Sequence, residues 1–149
     1  MRVVVNGCFD CFHDGHKYLI DKAFNMATRR GTVYILINSD ISVSELKGSP
    51  RPIDLFENRL EKIYNYWKKK TKNMFCAYGP KLETYMFNTE EELKEKIDEL
   101  RPDIILKGND RPDVREIVGS DKWPVCILPR LKDKNGDDIS TTNNLKEIK

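Results

Sequence analysis

Residues 3–16 read VVVNGCFDCFHDGH, and this stretch decides the fold. Its three valines predict a strand buried on both faces, because short β-branched apolar runs are typical of the interior of a parallel sheet. From residue 15 to about residue 30 the apolar side chains recur at spacings of three and four, which predicts a helix with one apolar face. The stretch therefore joins a buried strand to a helix through a turn that contains glycine.

Two histidines, His13 and His16, stand where the predicted helix begins. The first N–H groups of a helix have no partner within it and its dipole is positive there, so an anion is favoured at this end. The spacing leaves two interpretations open. The histidines either bind a phosphate, or they cap the helix and pack against it.

The same turn superficially resembles a zinc cluster, because Cys8 and Cys11 precede the two histidines. Structural zinc sites usually take their second pair of ligands from a separate hairpin or helix. A thioredoxin-like redox pair is also disfavoured, since both cysteines precede the turn rather than opening the helix. We expect no metal site here and keep the zinc and redox interpretations as alternatives.

The length of 149 residues predicts one domain, residues 1–149. Lys and Arg number 26 and Asp and Glu 24, so the net charge of +2 argues against a protein that binds nucleic acid. The sequence shows no secretory segment and no apolar stretch of membrane-spanning length, which predicts a cytoplasmic protein without a membrane partner. Four irregularly spaced cysteines are typical of reduced thiols.

Strand-like and helix-like segments alternate along the chain. Residues 54–67 have helical spacing, and Thr89 with Glu92 forms a capping box that opens a helix ending before Pro102. This alternation predicts an α/β fold, a Rossmann-like three-layer parallel sheet with helices on both faces. The predicted strands are residues 3–5, 33–37, 74–77, 104–106 and 125–128.

Polar groups follow the predicted strands, and ligands bind parallel sheets at the carboxyl ends of the strands. Together these strand ends predict a cleft able to hold a nucleoside triphosphate. Near the end of the chain, Ser140, Thr141 and Thr142 either cap a closing helix or bind a phosphate oxygen. The groups that follow the other strands are Asn38, Ser39, Asp40, a loop with Lys47, then Lys107, Gly108, Asn109, Asp110 and Arg130.

These residues resemble the cytidylyltransferase-like nucleotidyltransferase family, whose signatures are His-x-Gly-His after the first strand and Ile-Ser-Thr-Thr opening a late helix. Residues 13–16 and 139–142 match the two signatures. Within the family the chain is most similar to the heptose 1-phosphate adenylyltransferase type, through residues 6–10, 38–40, 42–43, 46–48, 51–52 and 107–108. The glycerol-3-phosphate cytidylyltransferases come next, through residues 128–130. The chain departs from the adenylyltransferase pattern after Gly108, where Asn109, Asp110 and Arg111 replace the usual Gly, Asp and aromatic residue.

The resemblance implies transfer of a nucleoside monophosphate from ATP or CTP to a sugar 1-phosphate, with release of pyrophosphate. An alternative acceptor is glycerol 3-phosphate or another polyol phosphate, and a further alternative is a non-catalytic nucleotide-binding module. The resemblance also implies Mg²⁺ bound with the triphosphate and a homodimer. It leaves residues 79–88 and 131–137 as longer connections that either contact the acceptor or have no role in binding.

The family's functional residues carry over to two sets of positions. The implied catalytic residues are His13, His16, Lys47 and Arg130. The implied nucleotide-binding residues are Gly7, Cys8, Phe9, Asp10, Gly15, Lys107, Gly108, Asn109, Asp110, Ser140, Thr141 and Thr142.

Overall fold

A computed structural model describes residues 1–72, 79–108 and 114–129 of the chain. These ranges contain five strands and four helices, and a short 3-10 helix spans Val114–Glu116. Strands and helices alternate as the sequence predicts, except that two helices in succession follow the second strand. The strands are β1 (Arg2–Gly7), β2 (Thr32–Asn38), β3 (Lys81–Phe87), β4 (Ile104–Lys107) and β5 (Val125–Ile127). The helices are α1 (Asp14–Ala27), α2 (Asp40–Lys47), α3 (Phe56–Lys72) and α4 (Glu90–Leu100).

The strands form one parallel sheet in the order β3-β2-β1-β4-β5. The chain runs outward from β1 to β3 on one side and then returns to place β4 on the other side of β1. Val4 of β1 pairs with Tyr34 of β2 and with Ile105 of β4. The strand order therefore reverses between β1 and β4, which is where such sheets open a crevice for ligands.

Alternate residues of the central strands face opposite layers of helices, because successive side chains of a strand point to opposite faces. Val3 and Val5 belong to the core cluster that contains residues of α1 and α3. Val4 belongs to the second cluster, with residues of α4. All three valines are fully buried. The predicted Rossmann-like fold with three layers is confirmed.

The boundaries of two predicted helices have visible local causes. Helix α1 ends at Ala27, before the predicted residue 30, because Thr28 turns out of the helix with a φ of 63° and the Ala27 carbonyl accepts a hydrogen bond from the Met1 amine at 3.1 Å. A Cβ atom on Gly31 would lie 2.1 Å from the Ala27 carbonyl oxygen and 2.3 Å from that of Met1. The chain is thus packed so tightly here that only glycine fits. Helix α4 begins as predicted, with the Thr89 side chain accepting a hydrogen bond from the backbone N–H of Glu92.

Two sequence predictions are wrong. The segment that carries Lys47 was expected to be a loop, but it forms helix α2, which Ser39 caps by accepting a hydrogen bond from Ser42 N. Residues 79–88 were expected to be a long connection, but they contain the edge strand β3. The strand predicted at residues 74–77 lies outside the described residues. Within the described ranges, no helix has the length and apolar character needed to cross a membrane.

Candidate active site

The turn after β1 lies at the carboxyl edge of the sheet. Phe9 and Cys11 adopt left-handed backbone conformations, with φ angles of 54° and 51°. The Phe9 side chain is buried and its ring lies 5.3 Å from the ring of His16, measured between centroids. Packing of Phe9 stabilises this unusual backbone, which brings the chain directly from the strand to the start of α1.

Asp10 fixes this turn to the segment that follows α2. Its Oδ2 accepts hydrogen bonds from Arg51 Nε at 2.6 Å and Ile53 N at 2.8 Å. Its Oδ1 accepts from Asp54 N at 2.8 Å and Cys11 N at 3.1 Å. A carboxylate has about four acceptor positions, and these four donors fill them. Asp10, predicted to touch the nucleotide, is fully buried and holds two segments together.

The ionisation of Asp10 follows from these contacts. Burial alone would raise the pKa of its carboxyl group, but the hydrogen bonds from Asp54, Ile53 and Arg51 outweigh burial and lower the pKa below its ordinary value. Asp10 is therefore a carboxylate at neutral pH.

His13 and His16 form a capping box at the start of α1. His13 Nδ1 accepts a hydrogen bond from Gly15 N at 3.0 Å, and His16 Nδ1 accepts one from His13 N at 3.2 Å. Ring stacking holds them in this position, because their centroids are 3.8 Å apart and their planes are inclined by 19°. Both residues remain partly exposed.

The capping contacts determine which ring nitrogen carries the proton. Burial lowers the pKa of His13 to about 4 and that of His16 to about 3, with the charge of Lys47 adding to both shifts. Both imidazoles are therefore neutral at pH 7. Because each Nδ1 accepts a hydrogen bond, the single proton of each ring lies on Nε2. Each histidine thus receives a backbone N–H at one nitrogen and offers an N–H at the other.

Arg59 is a buried residue of this edge that the sequence analysis missed. It is fully buried, and its guanidinium donates to Cys8 O at 2.7 Å, Asn38 O at 2.8 Å and Asp54 O at 3.0 Å. It also forms a salt bridge of 2.7 Å with Asp40. Arg59 thereby joins the ends of β1 and β2 to the start of α2. A signal was present, because it lies four residues before Ile63 on the apolar face of α3.

Three other predicted residues lie around the same edge. Lys47 is exposed in the last turn of α2. Lys107, at the end of β4, donates from Nζ to Asn6 O at 3.2 Å, across the point where the strand order reverses. The Cys8 thiol contacts Asn38 Oδ1 at 3.6 Å, and burial raises the pKa of this thiol. A raised pKa keeps the thiol protonated, which does not favour redox chemistry.

The remaining predicted residues divide into two groups. Gly7 ends β1, Gly15 donates its N–H to His13, and Gly108 follows β4. The others lie outside the described residues: Asn109, Asp110, Arg130, Ser140, Thr141 and Thr142.

The side chains of the described ranges do not form a set of metal ligands. In those ranges, no group of three or more His, Cys, Asp or Glu side chains is placed to hold a metal ion. The Asp10 carboxylate uses both oxygens for protein contacts, and the two histidines use Nδ1 for capping. These residues do not fit a protein cage for a metal.

Comparison with known proteins gives a family match over most of the chain. Residues 4–146 match the family model described as cytidylyltransferase-like. The protein named Bifunctional protein HldE from Haemophilus influenzae (strain PittEE) is 33% identical over 150 residues, which cover 99% of this chain and 27% of that protein. The protein of the same name from Photorhabdus laumondii is 32% identical over 151 residues, with the same coverage of each. This chain therefore spans about a quarter of the length of these relatives.

A solved structure is similar in fold. It is described as the lipopolysaccharide core biosynthesis protein from Thermoplasma volcanium GSS1. The alignment has a TM-score of 0.57 and 22% sequence identity, and covers 90% of this chain and 98% of that one.

Proposed function

This chain belongs to the cytidylyltransferase-like family, and we propose that it is a nucleotidyltransferase that transfers a nucleoside monophosphate from ATP or CTP to a sugar 1-phosphate of the heptose type. Pyrophosphate is the second product. The observation that carries the proposal is the pair of neutral imidazoles at the start of α1, each held by a backbone N–H at Nδ1 and carrying its proton on Nε2.

The histidines extend the anion-binding character of the helix start. Backbone N–H groups at a helix N-terminus favour an anion, but the capping box uses those of His13 and Gly15 within the protein. Each imidazole accepts one of these N–H groups and offers Nε2–H on the other side of its ring. In such a chain the first hydrogen bond polarises the second. The rings therefore act as donors to phosphate oxygens without carrying a charge that requires desolvation.

The proposed reaction needs no activated nucleophile from the protein. A phosphate monoester has its second pKa near about 6, so the acceptor is largely a dianion at pH 7. One of its oxygens attacks the α-phosphorus, a new P–O bond forms, and the bond from the α-phosphorus to the bridging oxygen breaks. The electron pair of that bond leaves with pyrophosphate. Catalysis then consists of positioning and charge stabilisation.

The proposed roles follow from position. His13 and His16 donate to the oxygens on which charge develops, and Lys47 approaches from the end of α2. Lys107 borders the crevice between β1 and β4, where the nucleotide is proposed to bind. Arg130 and the hydroxyl groups of residues 140–142 keep the roles implied by their family motifs. Mg²⁺ is proposed to enter with the triphosphate, held by phosphate oxygens and water, and no step is assigned to it.

The experiment is a pyrophosphate-release assay of the chain with ATP or CTP, each paired with a sugar 1-phosphate or with glycerol 3-phosphate. Release that depends on a sugar 1-phosphate supports the proposal. Release only with glycerol 3-phosphate would change the acceptor class. Nucleotide binding without release from any pairing would instead indicate a non-catalytic module.

A further inference from the structure

Arg51 has an unused hydrogen-bond donor at the candidate active site. Its side chain is 7% exposed, and Nε donates to Asp10 Oδ2 at 2.6 Å. Its Nη2 is buried and has no hydrogen-bond partner among the residues that the structure describes. Arginine usually binds a carboxylate through two parallel N–H groups. Here the second carboxylate oxygen of Asp10 already accepts from Asp54 N and Cys11 N, so it is not available to Nη2.

An unsatisfied donor in this position calls for an explanation. A buried polar group without a partner is destabilising, and such groups are rare in folded proteins. Among side chains of the described ranges, only Asn6 Oδ1 shares this condition. Asn6 lies in β1, next to the turn that Arg51 holds through Asp10. Both unsatisfied atoms therefore occur at the carboxyl edge of the sheet, which indicates a ligand site rather than scattered packing faults.

The surroundings of Arg51 favour an anion. The nearest carboxylate is saturated with donors, whereas the charge of Arg51 adds, after burial and other groups, to the lowering of the His16 pKa. Arg51 is therefore close enough to act on the histidine electrostatically. The preceding residues 47–50 are all exposed, so this side of Arg51 borders solvent.

We infer that Arg51 is a further substrate-binding residue, whose Nη2 donates to a phosphate oxygen while Nε holds Asp10 and the histidine turn. This inference rests on the nucleotidyltransferase function proposed above. The shared chemistry is a phosphoryl oxygen, which belongs either to the nucleoside triphosphate or to the phosphorylated acceptor. In both cases one guanidinium links a substrate phosphate to the turn that carries His13 and His16.

The test compares the binding of several probes to the wild-type chain and to Arg51→Lys. This substitution keeps the positive charge and allows one contact with Asp10, but it removes the planar pair of donors. The control is Arg2→Lys, because the Arg2 guanidinium contacts Tyr34 Oη at the amino edge of the sheet. Calorimetric titration uses pyrophosphate, glucose 1-phosphate and glycerol 3-phosphate with magnesium, and adenosine and cytidine as probes without phosphate.

The expected result is binding of one class of phosphate probe that is weaker by about tenfold or more in Arg51→Lys, as loss of a hydrogen bond between charged groups predicts. The affinity for the nucleosides stays unchanged in Arg51→Lys. In Arg2→Lys the affinity for every probe equals that of the wild type. Weaker pyrophosphate binding assigns the contact to the nucleotide, and weaker sugar or glycerol phosphate binding assigns it to the acceptor.

Two results would overturn the inference. One is wild-type affinity of Arg51→Lys for every phosphate probe. The other is an equal loss of nucleoside binding, because Arg51 would then act only through the shape of the turn. If Arg51→Lys does not fold, Arg51→Gln is titrated in its place with the same criteria. A wild-type chain that binds no probe and releases no pyrophosphate would contradict the proposed function itself.

Discussion

Replacing His13 by asparagine separates the two roles of this histidine. Asn is among the best N-cap residues, so His13→Asn keeps an acceptor for Gly15 N, which His13 Nδ1 now accepts at 3.0 Å. It removes the Nε2–H that is proposed to bind phosphate. Loss of one donor that stabilises developing charge costs about 3 kcal/mol, or about a hundredfold in turnover. We expect that loss with stability within about 0.5 kcal/mol of wild type.

His13→Ala provides the contrast, since it removes both roles. It should lose similar turnover and also about 1 kcal/mol of stability, the usual cost of losing an N-cap. Thr89→Asn exchanges the N-cap of α4, away from the site, and should leave turnover unchanged. Turnover is followed by pyrophosphate release and stability by urea unfolding. The reasoning is refuted if His13→Asn retains turnover within about threefold of wild type, far above the hundredfold loss that removal of one donor predicts.

Three predictions concern stability. Arg59→Met should lower the free energy of unfolding by about 3 kcal/mol in urea, because it leaves buried carbonyl groups and Asp40 without their partner. The control, Lys62→Met, breaks an exposed pair and should cost less than about 1 kcal/mol. Equal urea midpoints for the two variants would contradict this prediction. Stability should fall as pH drops from about 6.5 toward 4, because the unfolded histidines bind protons that the folded ones, with their lowered pKa values, do not. His13→Asn should reduce this fall. If the variant and the wild type lose stability equally over this pH range, the lowered pKa of His13 is contradicted. Gly31→Ala should strongly lower the melting temperature, since its Cβ would lie 2.1 Å from a backbone oxygen. Gly48→Ala should lower it less, because nothing lies near the new Cβ and only the φ of 75° is unfavourable for alanine. Similar melting temperatures for the two variants would contradict this prediction.

The parts of the fold that the sequence predicts are those where burial dictates the residue pattern. β1 and β2 are buried on both faces, so their apolar runs are continuous. Helices α3 and α4 have regular apolar faces. Helix α2 was missed because it is short and only Val43 of its large apolar residues is buried, so Ile41 and Leu46 obscure the period.

The edge strand β3 was missed for a related reason. An edge strand is less buried than a central one, so polar side chains interrupt its apolar pattern. Glu83 and Thr84 stand within Lys81–Phe87, and Phe87 is its one buried residue. The segment therefore has the composition of a connection although it pairs with β2 along its whole length.

At the site, the sequence predicts which residues meet but not how they divide their contacts. The position of His13 and His16 follows from the motif, yet capping and phosphate binding were stated as alternatives. The geometry makes them compatible, because each ring caps through one nitrogen and leaves the other nitrogen for a ligand. The partners of Asp10 and Arg59 illustrate what could not be predicted, since Asp54 lies 44 residues from Asp10 along the chain and Cys8 lies 51 residues from Arg59.

The most direct test of the proposed chemistry is ³¹P NMR of the chain incubated with ATP or CTP, magnesium and a heptose 1-phosphate. The account predicts two coupled diphosphate signals of a nucleoside diphosphate sugar, together with one equivalent of pyrophosphate. Both should be absent with His13→Asn over the same time. Formation of a nucleoside diphosphate and orthophosphate, or an unchanged spectrum with every acceptor phosphate, would contradict transfer to the acceptor.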